Sequence, residues 1–247
     1  MKYSLFSHEN TIETPRMLAH RGFTPVAPEN SLVSFRAAAK RGFWAIETDI
    51  HKTSDGVLVC CHNPTTGAHY NEDLPIAETP YAELAKLYMV NGKRVETYTR
   101  EQLAMPTFAQ YLDICEQSGI VPFIECKAPI VEEILTTLRR RDMIGCSVFS
   151  AIPLDYIREA RHLDRDIFVH HIFSNREKML EIAEMGNAGL SYNCPDLDLI
   201  PDGIVELTHS HGVKLCFRAA DTPEVCRRMI ALGVDYFPTN KVEPTKV

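Results

Sequence analysis

The chain has 247 residues, 45% of them hydrophobic, with 26 basic against 33 acidic side chains and a net charge of −7. That length and apolar content suffice to bury a substantial core, which excludes a disordered protein. The acidic surplus excludes a nucleic-acid partner, because no basic excess is available to displace phosphate counterions.

From the start of the chain, Met1 to Arg16 holds only the short apolar patch Tyr3-Ser4-Leu5-Phe6, too little for the core of a signal peptide. An apolar run at 17–20 predicts a first strand that ends in His20-Arg21-Gly22. Ser31 to Lys40 carries Leu32, Phe35 and Ala39 on one face and predicts a helix that stops at Gly42, before a strand at 45–50. Asp55-Gly56 reads as a two-residue hairpin turn leading to a strand at 57–61. With that turn Ser54 pairs with Val57, and His62 is expected opposite Asp49, on the face that also carries Glu47.

Residues 63–105 contain Pro64, Gly67, Pro75, Pro80 and Gly92 with weak periodicity, and read as a loop-rich insertion above a barrel mouth. Helices entered at Pro106 and Pro129 stop at Gly119 and before Gly145, ahead of strands at 121–126 and 146–149. The same rhythm, punctuated by Gly186, Gly212 and Gly233, predicts strands at 167–172, 188–192, 213–217 and 235–238. Setting aside the second hairpin arm leaves eight strands alternating with helices. The expected fold is α/β, a (β/α)8 TIM barrel with an extra hairpin strand after the second strand and an insertion at 63–105. All of 1–247 is expected to form one domain.

Barrel enzymes carry their chemistry at the C-terminal strand ends. Here those ends read His20-Arg21, Glu47-Asp49, Glu125-Lys127, Ser150, His170-His171, Tyr192-Asn193, Arg218 and Thr239-Asn240. Glu47 and Asp49 lie two apart on one strand, and Glu125 can complete a three-carboxylate oxygen site suited to Mg²⁺ or Ca²⁺. Spacing leaves a second reading open, in which the same acids form ion pairs with Arg21 and Lys127. Lys127 stands two residues beyond Glu125, as a phosphate-binding cation would. His20 and His62 are the acid/base residues, because separate turns carry both toward these acids. His170, His171, His209 and His211 read as structural. Asn30 is equally a helix N-cap or a ligand contact.

The eight cysteines include no Cys-x-x-Cys pair. Cys60, Cys126, Cys146 and Cys216 lie in apolar runs, where a free thiol behaves as a small hydrophobe. With no apolar stretch of spanning length, the expectation is a cytoplasmic protein without stable membrane insertion.

Several motifs together resemble the glycerophosphodiester phosphodiesterase family: His20-Arg21-Gly22, Pro28-Glu29-Asn30-Ser31, Phe35-x-x-Ala38, Ile46-Glu47-Thr48-Asp49-Ile50, Thr53-x-Asp55-Gly56-x-Leu58-Val59, His62, Ile124-Glu125-x-Lys127 and Leu232-Gly233-Val234-Asp235. The likeness runs in order from 17 to 240 and is densest over 18–63. It implies metal-dependent hydrolysis of a glycerophosphodiester to an alcohol and sn-glycerol 3-phosphate. It further implies His20 as general base, His62 as general acid, Glu47, Asp49 and Glu125 as metal ligands, and Arg21 and Lys127 as phosphate contacts. The chain departs from the family at three places. Asn63 and Asn240 stand where aspartate is usual, and Arg218-Ala219-Ala220 replaces a Trp-Thr-Val segment. Arg218 is therefore expected to bind substrate and to favour an anionic head group. Two alternatives are a related phosphodiesterase acting on a lysophospholipid or other phosphodiester, and a silent barrel that only binds one.

Overall fold

Side-chain caps set the limits of the helices. In the computed structural model, which describes residues 5–6, 9–194 and 196–247, Ser31 accepts from the Ser34 N–H at 3.1 Å and opens α1 (Leu32–Ala39). Thr107 does the same for Gln110 at the head of α3 (Phe108–Ser118), which Gly119 ends. The patch at Tyr3 and Ser4 lies outside the described residues.

Between the caps run β1 (Met17–Ala19), β2 (Ala45–Lys52), β3 (Leu58–Cys60) and the short α2 (Tyr81–Leu84). After α3 come β4 (Val121–Cys126), α4 (Val131–Arg140), β5 (Val148–Ala151) and α5 (Leu154–Leu163). The chain closes with β6 (Phe168–Ser174), α6 (Arg176–Met185), β7 (Ala188–Tyr192), α7 (Ile204–Ser210), β8 (Lys214–Cys216), α8 (Pro223–Ala231) and β9 (Phe237–Thr239).

Eight of these strands are parallel and stand in the order β8-β7-β6-β5-β4-β2-β1-β9, with β3 antiparallel on β2. The ring is completed between β8 and β9 by Asp235. Its N–H donates to Leu215 O at 2.9 Å, and its carboxylate accepts the Leu215 N–H at 2.8 Å. This is a (β/α)8 barrel.

Period-two alternation sorts the strand residues. Met17, Ala19, Ile46 and Ile50 face the helices in the outer core, whereas Leu18, Ala45, Val121, Phe123, Phe168 and Tyr236 pack inside the ring. Interior apolar residues fill the lower barrel, and the next inward positions up β2 and β4 are Glu47, Asp49 and Glu125.

The hairpin differs from expectation by one residue. Observed partners are Ile50–Cys60, His51–Val59 and Lys52–Leu58, so Cys61 rather than His62 lies opposite Asp49. The cause is a three-residue loop. Thr53 Oγ1 accepts the Val57 N–H at 2.9 Å, and Gly56 sits at φ 86 in a bulge that only glycine adopts freely. Asp55 is drawn away to accept the Tyr81 N–H at 3.0 Å, ahead of α2.

The segment 63–105 forms a cap with its own apolar cluster, including Tyr70, Ile76, Leu84, Met89 and Leu103 over Val59 and Cys61. It is tied to the barrel by Tyr98, whose hydroxyl donates to Val26 O at 2.8 Å. All eight cysteines are buried free thiols. Among the described residues no helix is long and apolar enough to cross a membrane.

Candidate active site

The C-terminal strand ends enclose a cavity of 380 Å³ whose wall includes His20, Arg21, Glu47, His62, Glu125, Lys127 and Arg218. Parallel pairing sets Asp49 beside Glu125, with Glu47 two residues back on the same face of β2. Oxygens of these three carboxylates all lie within 4.8 Å of one another.

Each acid has a neighbour that orients it. Asn30 donates to Asp49 Oδ2 at 2.9 Å and accepts from Thr48 Oγ1 at 2.7 Å. The N-cap of α1 is Ser31, so Asn30 is a positioning residue for Asp49 and not a cap. Glu47 Oε2 accepts the Arg21 N–H at 2.7 Å. That bond requires Arg21 at φ 57, a strained backbone of the kind found where a site over-determines it. Gly22 follows at φ 84 with Ser34 Oγ only 2.3 Å from where a Cβ would stand, so the turn closes tightly on α1. Lys127 Nζ meets Glu125 at 2.8 Å and Asp49 at 3.5 Å.

Two buried carboxylate oxygens, Glu47 Oε1 and Asp49 Oδ1, nevertheless have no hydrogen-bond partner. Burial, reinforced by Asp49 and Glu125, pushes the Glu47 carboxyl well above its usual range. Crowded carboxylate oxygens that lack a hydrogen bond, in an all-oxygen donor set, are what a hard divalent cation would satisfy. The residues fit such an ion.

His20 Nδ1 lies 2.7 Å from Asn240 Oδ1. The Asn240 amide is itself fixed, because its Nδ2 donates to Asp221 Oδ2 at 3.0 Å and its backbone N–H to Asp221 Oδ1 at 2.7 Å. Oδ1 therefore accepts from His20 Nδ1–H, which leaves Nε2 as the acceptor, 3.9 Å from Glu47. Burial, helped by Arg21, lowers the His20 pKa and keeps the ring neutral.

His62 reaches the cavity by the bend that follows β3, not by strand alternation. Its Nδ1 stands 2.8 Å from Asn63 Oδ1. Arg218 lines the same cavity, as does an apolar wall that includes Ile152, Phe173, Tyr192 and Phe217. His170 also borders it, but is buried between Tyr236 and Ser191 with its pKa lowered to about 3. His171 is turned to Ile152 O and His209 to Asp235.

A second group went unread in the sequence. Glu29 accepts from Arg21 Nη1 at 2.9 Å and lies 3.3 Å from His69 Nε2 of the insertion. Burial would raise its pKa, but His69 and Arg21 outweigh that and hold it at about 2. No periodicity connects residues 29 and 69; only the folded cap does.

Residues 20–243 match the sequence profile of the glycerophosphoryl diester phosphodiesterase family. The chain belongs to that family. Among its curated relatives, a glycerophosphodiester phosphodiesterase of Caldanaerobacter subterraneus is 25% identical over 92% of this chain and 94% of its own length. A probable glycerophosphodiester phosphodiesterase 2 of Mycobacterium tuberculosis is 32% identical, over 43% of this chain and 41% of its own. The fold is shared with a phosphodiesterase of Oleispira antarctica solved with its product sn-glycerol-3-phosphate. That structure has a TM-score of 0.83 and 21% identity over 98% of this chain and 97% of the other. Family membership places the chain among the phosphoric diester hydrolases.

Proposed function

We propose that this family member hydrolyses glycerophosphodiesters to an alcohol and sn-glycerol 3-phosphate, in the cytoplasm, as one domain spanning 1–247. The observation that carries the reading is the gathering of Glu47, Glu125, His20, His62, Arg21 and Lys127 at one cavity, with Asp49 within 4.8 Å of the other two acids. Glu47, Asp49 and Glu125 would hold Mg²⁺ or Ca²⁺, which when bound supplies positive charge against the phosphoryl oxygens.

Arg21 and Lys127 bind the non-bridging oxygens and stabilise charge that develops there. Neutral His20, with Nδ1 committed to Asn240, takes the proton of the nucleophile at Nε2. That nucleophile is water, or the adjacent glycerol hydroxyl through a cyclic phosphate. His62, as the general acid, gives its Nε2 proton to the departing alkoxide while Asn63 Oδ1 stands beside Nδ1. Arg218 contacts the substrate across the cavity.

A second reading, hydrolysis of a lysophospholipid, draws on the apolar wall, where Ile152 and Phe173 are 43% and 58% exposed. Phosphorus NMR of the products separates the two.

The test is turnover of a glycerophosphodiester panel with Mg²⁺, Ca²⁺ or EDTA. EDTA is expected to abolish activity, and His20→Ala and His62→Ala to lower kcat by about 10²–10⁴ each. Chelator-insensitive turnover rejects the metal assignment, and full activity in both variants rejects the proton-transfer roles.

A further inference from the structure

A second cavity, of 660 Å³, is lined by His20 and Arg21 but by none of the apolar-wall residues of the first. Both cavities share those two residues, so a diester held beside them can extend into either. The second is bordered by Lys93 from the insertion, by Lys241 just beyond β9, by His69 and by one carboxylate, Glu29.

That carboxylate does not offset the lysines. It is already shared between Arg21 at 2.9 Å and His69 at 3.3 Å, and no described carboxylate forms an ion pair with Lys93 or Lys241. Asp221 is engaged by the backbone and side-chain amides of Asn240, and Glu243 by Arg41 at 3.1 Å. Two lysines from separate elements thus line the cavity, and no described carboxylate is paired with either. Open space of this size beside a reacting phosphate suits part of a substrate, and its charge selects which part.

The geometry points to an anion subsite here, in which Lys93 and Lys241 receive a phosphomonoester carried by the alcohol half of the diester. This rests on the hydrolytic reading above and names the substrate class it favours: glycerophosphodiesters whose alcohol is itself phosphorylated. The lysines act in binding and take no part in proton transfer.

The test compares kcat/KM for a matched pair, glycerophosphoinositol and glycerophosphoinositol phosphate, in the full chain with divalent metal. The wild type is expected to favour the phosphorylated substrate by roughly tenfold, the scale of one charge-assisted hydrogen bond. The preference should shrink as ionic strength rises. Lys93→Met with Lys241→Met should bring the ratio near one while leaving glycerophosphoinositol turnover within about twofold, and each single variant should lie between. No wild-type preference, an unchanged ratio in the double variant, or equal loss on both substrates overturns the subsite. Failure of the wild type to cleave either compound overturns the hydrolytic reading instead.

Discussion

The asymmetry between the His20 and His62 imidazoles is built from single amide contacts. Asp221 fixes Asn240, Asn240 fixes His20, and burial with Arg21 holds that ring below the ordinary histidine value of 6.5. A base with a lowered pKa stays neutral further into acid. The acid limb of kcat/KM is therefore expected below pH 6.5, and Asn240→Asp should move it upward by adding a carboxylate beside Nδ1. The Glu29–His69 pair gives a separate prediction, read in stability. Glu29, depressed to about 2, contributes above its unfolded value near 4.5 and loses that contribution as pH falls toward 2. His69 is raised by its hydrogen bond to Glu29, so it contributes fully below 6.5 and loses this as pH rises through its folded value. Thermal melts of His69→Gln should show a deficit of roughly 1 kcal/mol near pH 5.5 that fades by pH 8.5. The charged and imidazole side chains that gather at the cavity were legible in the sequence because most sit in short strand-end motifs. Asn240–Asp221 and Glu29–His69 were not, because each pair joins separate loops whose meeting depends on barrel closure or on the cap.

At the level of elements, the turn after β1 matters most. It carries His20 and Arg21, and Gly22 presses it onto the first turn of α1. An alanine there would meet Ser34 Oγ at 2.3 Å on a backbone at φ 84. Gly22→Ala is expected to cost about 2 kcal/mol by overpacking and strain. Activity at 25 °C should fall further than the melting temperature suggests, since the turn cannot relax without moving His20. An intact kcat in a destabilised variant would show that the turn does not set His20. The hairpin shows where local reading stops. Asp55-Gly56 suits a two-residue turn and equally the last two positions of a three-residue loop. What selects the longer loop is Asp55 accepting the Tyr81 N–H, a contact from beyond the hairpin. The error of one residue put His62 in the right place for the wrong reason. The eight-strand count survived because it depends on helix–glycine–strand rhythm and not on register.

Over the whole molecule, stability and chemistry occupy opposite ends of the barrel. Asp235 closes the ring at the N-terminal end, where its carboxylate meets the Leu215 N–H, His209 and Lys214 at 2.8, 2.8 and 2.9 Å. Asp235→Ala leaves those donors without an acceptor and should cost about 3 kcal/mol, lowering Tm by roughly 6–12 °C. Asp235→Asn keeps an oxygen for Leu215 and should cost less, and both should turn over substrate normally at 25 °C. Loss of kcat in Asp235→Asn would mean that closure reaches the far end. The segment 63–105 bears on another question. It departs and returns on adjacent rungs, with Cys60 N–H donating to Pro106 O at 2.9 Å and Val59 bridging Thr107. Because its two ends are already side by side, a replacement of different length adds little chain-closure entropy and shifts no barrel strand. That makes it a socket in the scaffold, where recombination can trade one cap for another and so retune which diesters are accepted while Glu47, Asp49 and Glu125 stay put.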